Sequence, residues 1–137
     1  MGFCQGMNAS SIYGNTAFTW ACQFGDKNVV KLLLEHSGTN IDFNARSSLG
    51  STAFILACKA GHQDIVQLLL NHSDKTIELN ARSNSGMTSF MWACNNGHKD
   101  IVKLLIERSE ERDIDISGPD DLSKDMKDFI ELQIQNL

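Results

Sequence analysis

No run of apolar residues in this chain of 137 approaches the ~20 that a membrane-spanning helix needs. Nor does a basic segment followed by an apolar stretch open the chain, as a secretory signal would. "MGFCQGM" falls short of a myristoylation start, because Gly6 stands where Ser or Thr is required. A basic stripe is missing too. Residues 1–109 carry nine Lys/Arg against eight Asp/Glu, and residues 110–137 carry three against nine, so nucleic acid is excluded as a partner class. The acidic end reads as a solvated face. No glycine-rich phosphate loop follows a strand, and neither Gly-x-Ser-x-Gly nor His-Glu-x-x-His occurs. Prolines number one, while hydrophobic residues make up 42% and charged residues 21%, an ordinary balance for a soluble globular domain.

What is present is repetition. "NARSSLGSTAFILACKAG" begins at Asn44 and "NARSNSGMTSFMWACNNG" at Asn80, 36 positions later. A weaker copy, "NASSIYGNTAFTWACQFG", begins at Asn8, again 36 positions earlier than Asn44. Gly14, Gly50 and Gly86 keep the period, as do Cys22, Cys58 and Cys94. Self-similarity at a fixed period of this size is the signature of a stacked-repeat architecture.

The unit over residues 47–82 can be read element by element. Gly50 before a polar residue suits a tight turn at positive φ, and Thr52 is placed to cap a helix. "AFILACKA" is a short helix rich in small residues, which Gly61 ends. "HQDIVQLLLNH" is a second helix with Asp64 in its first turn, where a negative charge complements the helix dipole. Ile65, Val66, Leu68, Leu69 and Leu70 make this helix apolar around most of its circumference, so it must lie between neighbours. "SDKTIELNAR" is then extended, with Ile77 and Leu79 alternating against polar residues. One unit cannot bury its own apolar faces; stacked copies can, so the expected fold is a short α-solenoid.

The pattern Gly-x-Thr, short helix, Gly-His, "IV-x-LLL" resembles the ankyrin repeat, and "GSTAFILACKAGHQDIVQLLL" follows it almost throughout. The resemblance covers about residues 8–117 and implies an all-α solenoid of helix-turn-helix repeats joined by β-turn or hairpin loops. Three departures stand out. The family's Thr-Pro-Leu-His is here "TAFT", "TAFI" and "TSFM"; the period is 36 rather than ~33, with the extra residues in the loop after the second helix; and the third copy slips by one, Ile77 to Ile114 being 37. The expected organisation is one domain, with a partial repeat or cap at 1–10, repeats at 11–46, 47–82 and 83–118, and a capping helix at 119–137. The opening segment belongs either to a longer array or to a minimal N-terminal cap. In the last segment, Leu122, Met126, Phe129, Ile130, Ile134 and Leu137 form one apolar stripe.

Equivalent residues of stacked repeats lie roughly 8–10 Å apart, too far for a disulfide and without the convergence that zinc requires. Cys22, Cys58 and Cys94 are therefore small buried residues, and reduced thiols suit an intracellular protein, cytoplasmic or nuclear. The histidine pairs His36/His72 and His62/His98 are likewise repeat positions, which form rows, whereas catalytic groups converge. The resemblance gives His62 and His98 a role in hydrogen bonding between repeats, with Asp26 in their place in the first copy. Trp20 and Trp92 share a position with Leu56 and are expected to pack in the core, with one indole edge exposed, rather than to form a ligand platform. "IDFN" and "IELN" resemble sites of asparaginyl hydroxylases, which makes Asn44 and Asn80 possible modification sites; alternatively their side chains bond the turn backbone.

The expected function is a non-enzymatic scaffold or adaptor, monomeric, binding another protein or peptide without cofactor, metal or membrane. Alternatives are a regulatory substrate of a hydroxylase and a purely structural spacer. Letters that vary inside the repeated frame mark the expected binding surface. They are Ile12, Tyr13, Asn15, Gln23 and Phe24 in the first copy; Ser48, Leu49, Ser51 and Lys59 in the second; and Asn84, Ser85, Met87, Asn95 and Asn96 in the third. Arg46 and Arg82 flank them, and the resemblance places the same positions on the recognition face.

Overall fold

The computed structural model describes residues 17–35, 43–47, 49–72 and 77–137. Among these residues the regular structure is helical. Three pairs follow in order: α1 (Ala17–Phe24) with α2 (Lys27–Glu35), α3 (Ala53–Ala60) with α4 (Gln63–Asn71), and α5 (Ser89–Asn95) with α6 (Lys99–Glu107). A single turn, α7 (Ser109–Arg112), and a final helix, α8 (Lys124–Gln135), complete the chain. The helices stack in two rows. α1 packs on α3 and α3 on α5, while α2 packs on α4 and α4 on α6; α8 closes against α6.

Helix starts and stops follow the local chemistry. Thr52 Oγ1 accepts from the Ile55 N–H at 3.3 Å, Thr88 Oγ1 from Met91 at 3.2 Å, and Ser123 Oγ from Met126 at 3.3 Å. Each satisfies an amide that the first helical turn leaves without a partner. Gly61 ends α3 at φ 84°, with its N–H returning to the Ala57 and Cys58 carbonyls.

The first row is close-packed because each helix presents small residues toward its neighbour. Ala21 and Cys22, Ala53, Ala57 and Cys58, and Ser89, Ala93 and Cys94 are all buried at equivalent positions. Phe18, Phe54 and Phe90 are buried just after each helix start, where the family pattern has leucine, and supply the volume that those small residues lack. The second row contributes Val30 and Leu33, Ile65, Val66, Leu69 and Leu70, and Ile101, Val102 and Leu105. Burial there is less complete than the sequence suggests: Leu68 is half-buried and Leu32 is 55% exposed, because no described element stands behind that face. Ile77 and Leu79 are buried and alternate with exposed Glu78 and Asn80, as the pattern requires.

Cys22, Cys58 and Cys94 are buried free thiols, and burial pushes each pKa up, that of Cys94 to about 12. Neutral and unreactive, they fill space. In α8 the apolar stripe is only partly used. Met126 is buried and Leu122, Phe129 and Ile130 pack beside it, whereas Ile134 and Leu137 are exposed, since the contact with α6 engages the first half of the helix. Lys99 Nζ reaches Asp125 at 2.8 Å and lies 5.4 Å from the Phe129 ring centroid, tying α8 to the start of α6.

Candidate binding groove

Two turn tips of like construction project beside the first row of helices. In one, Ser47 N–H donates to the Ser51 carbonyl and Gly50 N–H to the Ser47 carbonyl, both at 2.9 Å. In the other, Ser83 donates to Met87 at 3.0 Å and Gly86 to Ser83 at 2.8 Å. An arginine braces each tip. Arg46 Nη1 donates to the Gly50 carbonyl at 2.8 Å, and Arg82 Nη1 to the Gly86 carbonyl at 2.8 Å. Arg46 also reaches the Arg82 carbonyl at 2.6 Å, and Asn84 N–H donates to the Leu49 carbonyl at 3.0 Å, so the tips are stitched to one another. The arginines are thus largely engaged within the fold, with Glu78 and Asp115 3.9 Å from them.

A groove of about 430 Å³ lies where these tips meet α3 and α5. Leu49, Ser51, Lys59, Ser83, Asn84, Ser85 and Trp92 line it. Lys59 Nζ sits 4.4 Å from the Trp92 ring centroid, a cation over an aromatic face. The backbone beneath is pinned: the Lys59 carbonyl accepts from His98 Nε2 and from Asn96 Nδ2, each at 2.9 Å. His62 Nε2 makes the equivalent bond to the Gln23 carbonyl at 2.9 Å. In the first copy Asp26 Oδ1 instead accepts from the Val29 N–H at 3.2 Å, capping α2.

Five of the sequence-selected residues meet at this groove: Leu49, Ser51, Lys59, Asn84 and Ser85. Leu49 is 67% exposed, whereas Ser51 is buried and contributes to the floor. Met87 is half-buried, Asn95 is exposed on α5, and Asn96 is committed to Lys59. Gln23 and Phe24 stand apart on α1, where Phe24 stacks on Trp20 at 4.8 Å between centroids. Ile12, Tyr13, Asn15 and Ser48 lie outside the described residues, as does Cys4.

The expectation that both tryptophans pack in the core, one indole edge exposed, fails for Trp20. Trp20 is 48% exposed, and Trp92 is half-buried in the groove wall with its Nε1 shielded and lacking an acceptor. The signal was present in Phe24: a residue four positions earlier on the same helix shares its face. Asn44 and Asn80 do bond backbone, and they do so across repeats. Asn44 Oδ1 accepts from Glu78 N–H at 2.8 Å; Asn80 Oδ1 accepts from Asp115 N–H at 2.7 Å, and its Nδ2 donates to the Asp113 carbonyl at 2.8 Å. Among the described residues, no three His, Cys, Asp or Glu side chains come together as a metal site, and no helix is long and apolar enough to cross a membrane.

A family model for ankyrin repeats in three copies matches residues 37–118, and one for a single ankyrin repeat matches residues 13–47. No curated protein matches the chain.

Proposed function

The chain belongs to the ankyrin-repeat family, and from that premise we propose that it is a scaffold or adaptor that grips a partner polypeptide in the groove between the second and third repeats. Ankyrin repeats are protein–protein interaction modules, so a binding role is the coarse reading, and the groove is the specific one. One observation carries it. Five of the positions free to vary within a repeated frame meet at a concavity holding an exposed leucine, an indole and a lysine. An indole beside an exposed aliphatic side chain on a concave surface is the chemistry of an interface anchor. The stitching between tips and the clamp on the Lys59 carbonyl keep the groove walls in place, so little conformational entropy is lost on binding.

A crosslinking pull-down from native lysate tests this reading with three baits: the wild type, Leu49→Ala with Trp92→Ala, and Lys103→Ala, an exposed residue on the second row. The wild type and Lys103→Ala should capture the same partner, and the groove double variant should lose it while keeping its helical circular dichroism. Equal capture by all three would move the site elsewhere.

A further inference from the structure

The near-neutrality of the repeats conceals a separation of charge. The tip-and-first-helix stretches 8–25, 44–61 and 80–97 contain three of the chain's twelve Lys/Arg and none of its seventeen Asp/Glu. Everything else therefore carries nine basic against seventeen acidic residues. In a chain of net charge −5, none of the side chains that line the groove is acidic.

The three cations are not equivalent. Arg46 and Arg82 have carboxylates at 3.9 Å, Glu78 and Asp115, and each spends a guanidinium N–H on its own tip. Lys59 has no carboxylate partner among the described residues; its ammonium rests on the Trp92 face, inside the groove. It is also the only ionisable side chain among those lining the groove. An ammonium held against an indole is partly desolvated yet unneutralised, which strengthens its attraction for an incoming anion. Leu49, 67% exposed, offers an apolar surface on the same groove.

Resting on the groove reading above, we propose that the partner is an acidic peptide segment in extended conformation. It places an aliphatic or aromatic side chain between Leu49 and Trp92 and an adjacent Asp or Glu carboxylate on Lys59 Nζ. Ser85, exposed at the tip with its hydroxyl 2.9 Å from that of buried Ser83, meets its backbone. A groove of about 430 Å³ takes one large apolar side chain with a short run of main chain. A polyphosphate strand is disfavoured by the acidic remainder of the chain, whereas a short acidic segment touches only the groove, whose lining holds no acid.

Selection of random dodecapeptides displayed on phage against the full chain tests the proposal. Fluorescence anisotropy on the enriched peptides, with wild type, Lys59→Glu and Lys59→Met, then measures affinity at low and high salt. Lys59→Met retains an unbranched chain over the indole without its charge. Enrichment of Asp or Glu next to Leu or Phe is expected, with binding weakened about tenfold or more by Lys59→Glu, less by Lys59→Met, and reduced by salt. Enriched peptides that are uncharged and bind Lys59→Glu as well as wild type would overturn the acidic-partner proposal and leave the groove reading standing. Absence of any enriched motif would count against both. A single-stranded oligonucleotide that displaces the peptides in a Lys59-dependent manner would assign the groove to phosphate instead.

Discussion

In the first row of helices, α1, α3 and α5, a single side chain is charged, Lys59; in the second row, α2, α4 and α6, eight are. Both rows bury their neighbours' apolar faces, so the difference lies in what they show to solvent. Apart from exposed Leu32, the second row shows charged residues such as Lys31, Asp64, Lys103 and Glu107, which solvate an outer helical face. The first row shows Trp20, Phe24 and Asn95, and sets Lys59 against a half-exposed indole. Solvation does not call for tryptophan and phenylalanine there. The row held together by alanines, cysteines and a serine is the row whose outward residues are suited to contact another molecule.

The comparison can be broken most severely at the core the second row supplies. Leu69 is fully buried between repeats, and Leu69→Ala should cost about 2–5 kcal/mol through lost transfer energy and a residual cavity. Chemical denaturation measures it, and an unchanged midpoint would contradict the stacking of the rows.

Within each unit the sequence was a good guide. The period located the helices, Thr52 announced its cap, Gly61 its stop, and the three cysteines their burial. Relations between units were harder to read. That Arg46 spans two tips, that Asn44 and Asn80 bond the following loop, and that Trp20 stands outside while Phe18 is buried all depend on how one repeat sits on the next. A repeated letter fixes a position inside its own copy. The offset between copies is set by packing volumes along the whole interface, which no short motif encodes.

Two glycines sharpen the point at smaller cost. Gly61 and Gly97 occupy the same repeat position with φ of 84° and 73°. A Cβ on Gly61 would come within 2.8 Å of His98 Cε1, while one on Gly97 would meet nothing within 4 Å, since no fourth repeat histidine covers it here. Gly97→Ala should therefore show only the left-handed penalty, about 1–2 kcal/mol. Gly61→Ala should cost about 1 kcal/mol more, because displacing the imidazole breaks its bond to the Lys59 carbonyl. Paired thermal melts of the two variants measure the difference, and equal melting points would show that the histidine contributes nothing to the junction.

The smallest effect is the most telling for function. Trp92 occupies the position that Leu56 fills in the preceding repeat, so the fold accepts leucine there. In Trp92→Leu, loss of the contact with Lys59 removes about 0.5–1 kcal/mol. Removing an indole N–H that is shielded and without an acceptor returns about 1–3 kcal/mol. The smaller apolar area of leucine offsets much of that return, at about 25 cal/mol per Å². These contributions oppose one another, so the net change in stability should stay within about 0.5 kcal/mol, typical of a surface substitution. Partner capture, by contrast, should fall sharply, because the indole forms one wall of the groove. A variant that melts several degrees lower would make Trp92 a structural residue, and one that binds as before would take the groove out of the binding surface.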